Sequence, residues 1–240
     1  MGVLVAGFPA GPWGTNCYVV ATGSGTECVV IDPGKDATDG VAQVVREHHL
    51  KPIAVLVTHG HIDHMWCVAP VAGTYDATAW IHPADRHLLS NPMAGMSRET
   101  SQMLLGGDYT WAEPDDVREL ADSQVVELAG LEFTVDHTPG HTPGSVTFRT
   151  PYDDDQISQV MFSGDLLFEG SIGRTDLPGG DHSTMLQSLR SKVLTLPDNI
   201  VVLPGHGGQT SIGRERATNP FLLDLIDEDR PGTNPITRGL

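Results

Sequence analysis

Four metal-capable side chains fall within Thr58-His59-Gly60-His61-Ile62-Asp63-His64, directly after the apolar run Ile53-Ala54-Val55-Leu56-Val57. The spacing predicts a metal site at the end of a strand. In extended backbone, residues two apart point the same way. Read as strand, the segment directs His59, His61 and Asp63 to one side and His64 elsewhere, so one short loop can serve two metals. Imidazole with carboxylate suits Zn²⁺, Fe²⁺ or Mn²⁺ rather than an oxygen-only ion such as Ca²⁺. A lone histidine in a loop is ordinarily a surface polar residue. Three histidines and an aspartate at this spacing match what a metal requires.

One loop does not complete a metal site, so further ligand types are expected at other strand ends. His141 lies in Thr138-Pro139-Gly140-His141-Thr142-Pro143-Gly144, after the alternating stretch Leu131-Glu132-Phe133-Thr134-Val135. Asp165 follows Val160-Met161-Phe162 through Ser163-Gly164, and His206 follows Ile200-Val201-Val202-Leu203 through Pro204-Gly205. Each context is an apolar strand, a glycine-containing turn, then a ligand-type side chain. Glycine lets backbone crowd close to a bound group and proline fixes the turn. Asp32, ending Val29-Val30-Ile31, is either a partner that orients a ligand histidine or a simple turn residue before Pro33-Gly34. His137 lies four residues before His141, but strand alternation prefers His141 as the ligand.

Other nucleophile chemistry finds little support. Cys17, Cys28 and Cys67 are too scattered for a C-x-x-C motif and read as buried thiols. Ser145 and Ser163 adjoin glycines without the G-x-S-x-G frame of a nucleophile elbow.

The elements that must position these residues alternate between strand and helix periods. Strands are expected near 3–8, 16–21, 27–31, 53–57, 78–81, 124–128, 131–136, 145–149, 158–163 and 200–203. Helices are expected near 38–49, 64–71, 84–89, 181–193 and 212–227, the first with Val41, Val44 and Val45 on one face. Residues 91–116 are long for a mere connection and read either as a lid over the site or as a packed excursion. Residues 1–227 read as a single α/β domain, and 228–240 as a frayed tail.

The formal charge of −17, with 14 basic residues and no dense basic cluster, argues against a nucleic-acid substrate. No apolar stretch approaches the roughly 20 residues of a membrane span. Three unframed cysteines and an N-terminus without a basic region and apolar core lead to the expectation of a cytoplasmic protein.

The order T-H-x-H-x-D-H, lone His, lone Asp, final His resembles the metallo-β-lactamase superfamily over roughly residues 13–220. Within it the chain looks most like the short bacterial members of the glyoxalase II (hydroxyacylglutathione hydrolase) group. The finer likeness rests on Gly173-Arg174-Thr175-Asp176-Leu177-Pro178-Gly179-Gly180-Asp181, Leu203-Pro204-Gly205-His206-Gly207, and Gly213-Arg214-Glu215-Arg216 with Asn219-Pro220-Phe221. The resemblance implies a four-layer αβ/βα sandwich. It implies two divalent metals, zinc first with iron or manganese as alternatives: one held by His59, His61 and His141, the second by Asp63, His64 and His206, with Asp165 bridging. Asp63 and Asp165 would then be the catalytic carboxylates, a metal-bridging hydroxide the nucleophile, and a hydroxyacyl thioester of a small thiol the substrate.

Arg174 could meet an anionic part of that substrate or pair internally with Asp176 or Asp181. Full-length glyoxalase II enzymes use a helical C-terminal domain for much of the thiol-binding surface, whereas 34 residues follow His206 here, so the thiol carrier stays open. The competing expectation is a mononuclear Fe²⁺ persulfide dioxygenase of the same superfamily, using His59, His141 and Asp165. Lactone or β-lactam hydrolysis would use the same hydroxide, and a partner-binding scaffold without turnover is disfavoured because no ligand position is substituted.

Overall fold

A computed structural model describes residues 2–97, 101, 110–152 and 154–228. Two six-stranded sheets dominate it. The first contains β1 (Leu4–Ala10), β2 (Thr15–Ala21), β3 (Glu27–Ile31), β4 (Lys51–Leu56), β5 (Thr78–Ile81) and β6 (Val117–Glu119), in that order. The second has the order β14 (Thr210–Ser211), β13 (Ile200–Pro204), β10 (Gln159–Gly164), β9 (Val146–Pro151), β8 (Leu131–His137), β7 (Val125–Leu128). A small hairpin, β11 (Leu167–Phe168) with β12 (Ser171–Ile172), stands apart from both sheets.

Alternation along the strands explains the layering. In β2, Cys17, Val19 and Ala21 face one core together with Val30 of β3 and Val55 of β4. Tyr18 and Val20 of the same strand face another core, shared with Phe133, Phe148 and Phe162 of the second sheet. The first core is closed by helices α1 (Ala37–His48) and α3 (Val68–Tyr75), through Ala37, Val41, Val68 and Val71. On the far side, Met161 and Val202 pack against α5 (His182–Ser188), α6 (Ile212–Thr218) and α7 (Pro220–Glu228) through Met185, Ile212 and Leu222. Three cores between four layers make the αβ/βα sandwich. Truncating one of the three fully buried phenylalanines to Ala would cost about 3–5 kcal/mol.

Two short helices complete the site end: α2 (Ile62–Met65) and α4 (Pro83–Arg86). The expected helix at 64–71 is thus two helices, α2 and α3, and the one at 212–227 is divided at Asn219-Pro220 into α6 and α7. Residues 189–193 continue α5 as a π-helical turn. Strands β6, β11, β12 and β14 are additions to the sequence reading, each too short to show a period. Of residues 91–116, 92–95 form a 3₁₀ turn, and Met93, Met96 and Trp111 pack against the first core. The rest of that lid expectation, 98–100 and 102–109, lies outside the described residues, as do residues 229–240 of the expected tail. No described helix is long and apolar enough to cross a membrane.

Strands β3, β4 and β5 run parallel, as do β10 and β13. The carboxyl ends of β4, β10 and β13 and the β8–β9 loop meet at one edge of the sandwich. There the Val146 amide donates to the Thr58 carbonyl at 2.8 Å, and the Asn16 amide donates to the Gly205 carbonyl at 2.7 Å. In open α/β sheets, loops at strand carboxyl ends are where ligands are held.

Candidate metal centre

All seven residues singled out as ligands converge at this edge. Their ligand atoms form three overlapping groups, each within 4.8 Å: His59, His61 and His141; His59, His64 and Asp165; Asp63, His64 and His206. His59, His61, His64 and His141 are buried, and Asp63, Asp165 and His206 are partly covered. Asp165 lies between the outer groups, with Oδ2 3.5 Å from His141 Nε2 and Oδ1 3.2 Å from His64 Nε2.

The period-two reading of the loop is corrected here. Asp63 joins His64 and His206, with its Oδ2 3.1 Å from His206 Nε2 and 3.5 Å from His64 Nε2, rather than His59 and His61. The physical reason is a change of backbone after His61. That residue is extended (φ −65°, ψ 144°) and starts α2, where the His64 and Met65 amides donate back to its carbonyl. A helical turn, not a pleat, sends Asp63 and His64 toward the second group.

Ring nitrogens confront each other without enough protons to satisfy them. His61 Nδ1 is 2.8 Å from His141 Nε2, and His141 Nε2 is 3.1 Å from His59 Nε2. The outer nitrogens account for the protons. His141 Nδ1 donates to the Arg174 carbonyl at 2.7 Å, which leaves Nε2 a lone pair. Thr58 Oγ1 donates to Asp32 Oδ2 at 2.6 Å and so accepts from His59 Nδ1 at 3.1 Å, again freeing Nε2. Lone pairs aimed at one another in a buried space are repulsive unless a cation takes them. The donor set therefore fits divalent metal.

Charge follows the same logic. Burial and the neighbouring imidazoles hold His59 well below its ordinary pKa and push His61 down to about 3, so both rings are neutral lone-pair donors. Burial also opposes charge on His64 and His206, but the Asp165 and Asp63 carboxylates outweigh it and raise both.

Asp32 is fully engaged: its Oδ1 accepts from the Thr58 amide at 2.8 Å and its Oδ2 sits 2.9 Å from His64 Nδ1. Of its two sequence readings, the ligand-orienting one matches this geometry. His137 stays out of the group and donates from Nε2 to the Pro143 carbonyl at 2.9 Å. The three cysteines are buried and free.

Beside these residues opens a cavity of about 470 Å³. Trp13, Met96, Phe168, Ile172 and Leu177 give it an apolar wall, and Arg174 lies on its rim. Arg174 is 61% exposed and grips Asp176 with two hydrogen bonds of 2.7 Å, so of the two expected internal partners Asp176 is the one engaged. Besides Asp136, which pairs with Arg149, two buried acids were given no role by the sequence reading: Asp85 and Glu215. Among the described residues neither forms an ion pair with a lysine or arginine. Both accept only from backbone amides, hydroxyls and a carboxamide, partners that no local motif announces.

Residues 10–206 match the family model described as the metallo-beta-lactamase superfamily. An uncharacterized protein of Mycobacterium tuberculosis (strain ATCC 25618 / H37Rv) is 45% identical over 93% of this chain and 99% of its own length. The hydroxyacylglutathione hydrolase GloC of Haemophilus influenzae is 34% identical over 80% of this chain and 86% of its own. Among solved structures, the B3 metallo-beta-lactamase BLEG-1 superposes with a TM-score of 0.78 at 40% identity, covering 91% of this chain and 99% of that one. A protein solved in a di-iron-bound form gives a TM-score of 0.70 at 38% identity over 88% and 97%. ETHE1 from Myxococcus xanthus gives 0.70 at 25% identity over 95% and 92%.

Proposed function

The chain belongs to the metallo-beta-lactamase superfamily, and from that premise we propose that it is a dinuclear metal-dependent hydrolase of hydroxyacyl thioesters of a small thiol. The observation that carries the proposal is the pair of ligand-type trios with Asp165 between them, beside a largely apolar cavity. His59, His61 and His141 would hold one ion, Asp63, His64 and His206 the other, with Asp165 between. When bound, two such ions lower the pKa of a shared water toward neutrality and polarise the substrate carbonyl. Zinc is the first choice, and the relative solved with two irons supports iron as an occupant of such a site.

The chain's own residues do the rest. Asp32, Thr58 and the Arg174 carbonyl fix the tautomers of His64, His59 and His141, so that each presents a lone pair inward without rearrangement. Thr15 Oγ1 donates to Asp63 Oδ2 at 3.2 Å and holds that carboxylate toward His206. The wall of Trp13, Phe168, Ile172 and Leu177 seats the acyl or thiol chain and keeps bulk water from the carbonyl. Arg174 receives an anionic end of the substrate. A thiolate leaves with little acid assistance.

The thioester assignment draws on the hydroxyacylglutathione hydrolase relative. Its test is metal content per chain by plasma mass spectrometry together with S-lactoylglutathione hydrolysis on the same sample. About two metals with turnover is expected. One iron per chain, no hydrolysis, and oxygen uptake with glutathione persulfide would replace this reading with the dioxygenase.

A further inference from the structure

We infer that Asp85 is the positioning residue of the first metal trio alone, a buried carboxylate that clamps the two loops bearing His59, His61 and His141. This rests on the two-trio reading above.

Asp85 sits in α4, wholly buried, with no lysine, arginine or histidine among its hydrogen-bond partners in the described residues. Its Oδ2 accepts from the Gly60 amide at 2.9 Å and from Thr142 Oγ1 at 2.6 Å, and its Oδ1 accepts from the Gly144 amide at 2.7 Å. One donor thus lies between His59 and His61, and the other two lie just past His141. Charge-assisted bonds of this kind are roughly twice as strong as neutral ones, and they compensate a buried carboxylate with no counter-ion among the described residues.

The fit is tight enough to dictate sequence. A Cβ on Gly144 would stand 2.5 Å from Asp85 Cγ, and one on Gly60 would stand 2.6 Å from the Leu88 side chain and 3.1 Å from the Asp85 carbonyl. Both loops are glycine where they touch α4.

His61 shows why such a clamp is needed. The other ligand histidines of this loop have outer partners: His59 uses Thr58, and His64 uses Asp32. His61 Nε2 is buried and has no hydrogen-bond partner among the described residues. The ring is therefore aimed from its backbone, and the nearest fixed point of that backbone is the Gly60 amide on Asp85. Asp32 already supports both groups, touching His64 directly and His59 through Thr58. Asp85 reaches no part of the Asp63, His64 and His206 trio.

Asparagine at 85 must present its amide nitrogen to one of three donors and so releases at least one loop. Zn²⁺ titration of metal-stripped full-length protein against a competing chelator reads the consequence. Asp85→Asn is expected to weaken one of two zinc equivalents about 10–100-fold, the usual cost of losing an outer partner, and to leave the other within twofold. In a His206→Ala background the same substitution should weaken the remaining first-trio metal. In a His61→Ala background it should leave the second-trio metal unchanged. Thr142→Val, which removes only the hydroxyl donor, should repeat the selectivity with a smaller loss and decides the matter if Asp85→Asn does not fold.

Equal weakening of both metals, or none, would overturn the assignment. A wild type that binds one equivalent would fail the two-metal reading instead, and the His206→Ala pair would still decide Asp85, because it reads the first trio by itself.

Discussion

Asp32 and His64 meet in full burial, Oδ2 2.9 Å from Nδ1, and every donor around that carboxylate points at it. Asp32 adopts φ +49°, a left-handed conformation that asparagine tolerates nearly as well. Asp32→Asn is therefore a test of charge and acceptor count rather than of backbone strain. The amide nitrogen must confront the Thr58 amide, the Thr58 hydroxyl or His64 Nδ1. Zinc affinity should fall about 10–100-fold, with a loss of about 1–3 kcal/mol in stability from the unsatisfied donor. Chelator competition and thermal unfolding of the apo protein measure the two effects separately. An unchanged zinc affinity would show that His64 needs no outer partner.

Glu215 and Asn219 hold the far wall of the cavity. Glu215 Oε2 accepts from the Gly170 amide at 2.8 Å and from Asn219 Nδ2 at 2.9 Å, Oε1 accepts from Thr210 Oγ1 at 2.6 Å, and Asn219 also donates to the Ser171 carbonyl at 3.1 Å. These bonds fix the β11–β12 hairpin, which contributes Phe168 and Ile172 to the cavity. Glu215→Gln brings a donor among donors. About 1–1.5 kcal/mol of lost ordering corresponds to a KM rise of about tenfold, with kcat within about twofold and metal content unchanged. A fall in metal content would mean that the hairpin supports the ligands as well as the wall.

The unequal legibility of this molecule has a physical basis. Strands such as β2, β3 and β13 declare themselves because both their faces are buried or alternate, and His141, Asp165 and His206 stand out because each follows such a strand through a glycine turn. The residues that gather at this edge were legible. Their grouping was misjudged from the residues, since nothing in Ile62-Asp63-His64-Met65 alone reveals the helical turn that sends Asp63 to His206. The roles of Asp85 and Glu215 were hidden for a different reason. Asp85 binds amides 25 and 59 residues away, and an acid that binds backbone leaves no complementary basic residue to notice.

Arg174 on the cavity rim is held by Asp176, and its hydrogen bonds keep the Asp176 carboxyl down at about 2. Asp176 is thus ionised throughout the useful pH range and competes with any anionic substrate group. Asp176→Asn should free the guanidinium and lower the KM for S-lactoylglutathione, by about two- to fivefold at low salt, an advantage that shrinks as ionic strength rises. Arg174→Ala should raise it. Neither change should alter metal content, because Arg174 meets His141 only through its backbone carbonyl. Identical KM values in all three proteins would remove Arg174 from substrate binding.

Burial sets the pH limit of the fold on the alkaline side. Desolvation pushes the Cys28 thiol up to about 12 and also raises Cys17, whereas an unfolded thiol ionises near 8.5. Between those values the unfolded chain releases protons that the native chain keeps, so stability present below about pH 8.5 declines as pH rises toward 12, with a limiting slope of about 1.4 kcal/mol per pH unit for each thiol. The melting temperature of the metal-loaded protein should fall steadily above pH 9, and Cys28→Ala should flatten part of that slope while costing some packing at neutral pH. The native protein at pH 8 should also resist thiol-directed reagents until denaturant is added, since Cys17, Cys28 and Cys67 are all buried. Rapid labelling of the folded chain would mean that these strands open far more readily than their shared core, with Val19, Val30 and Val55, allows.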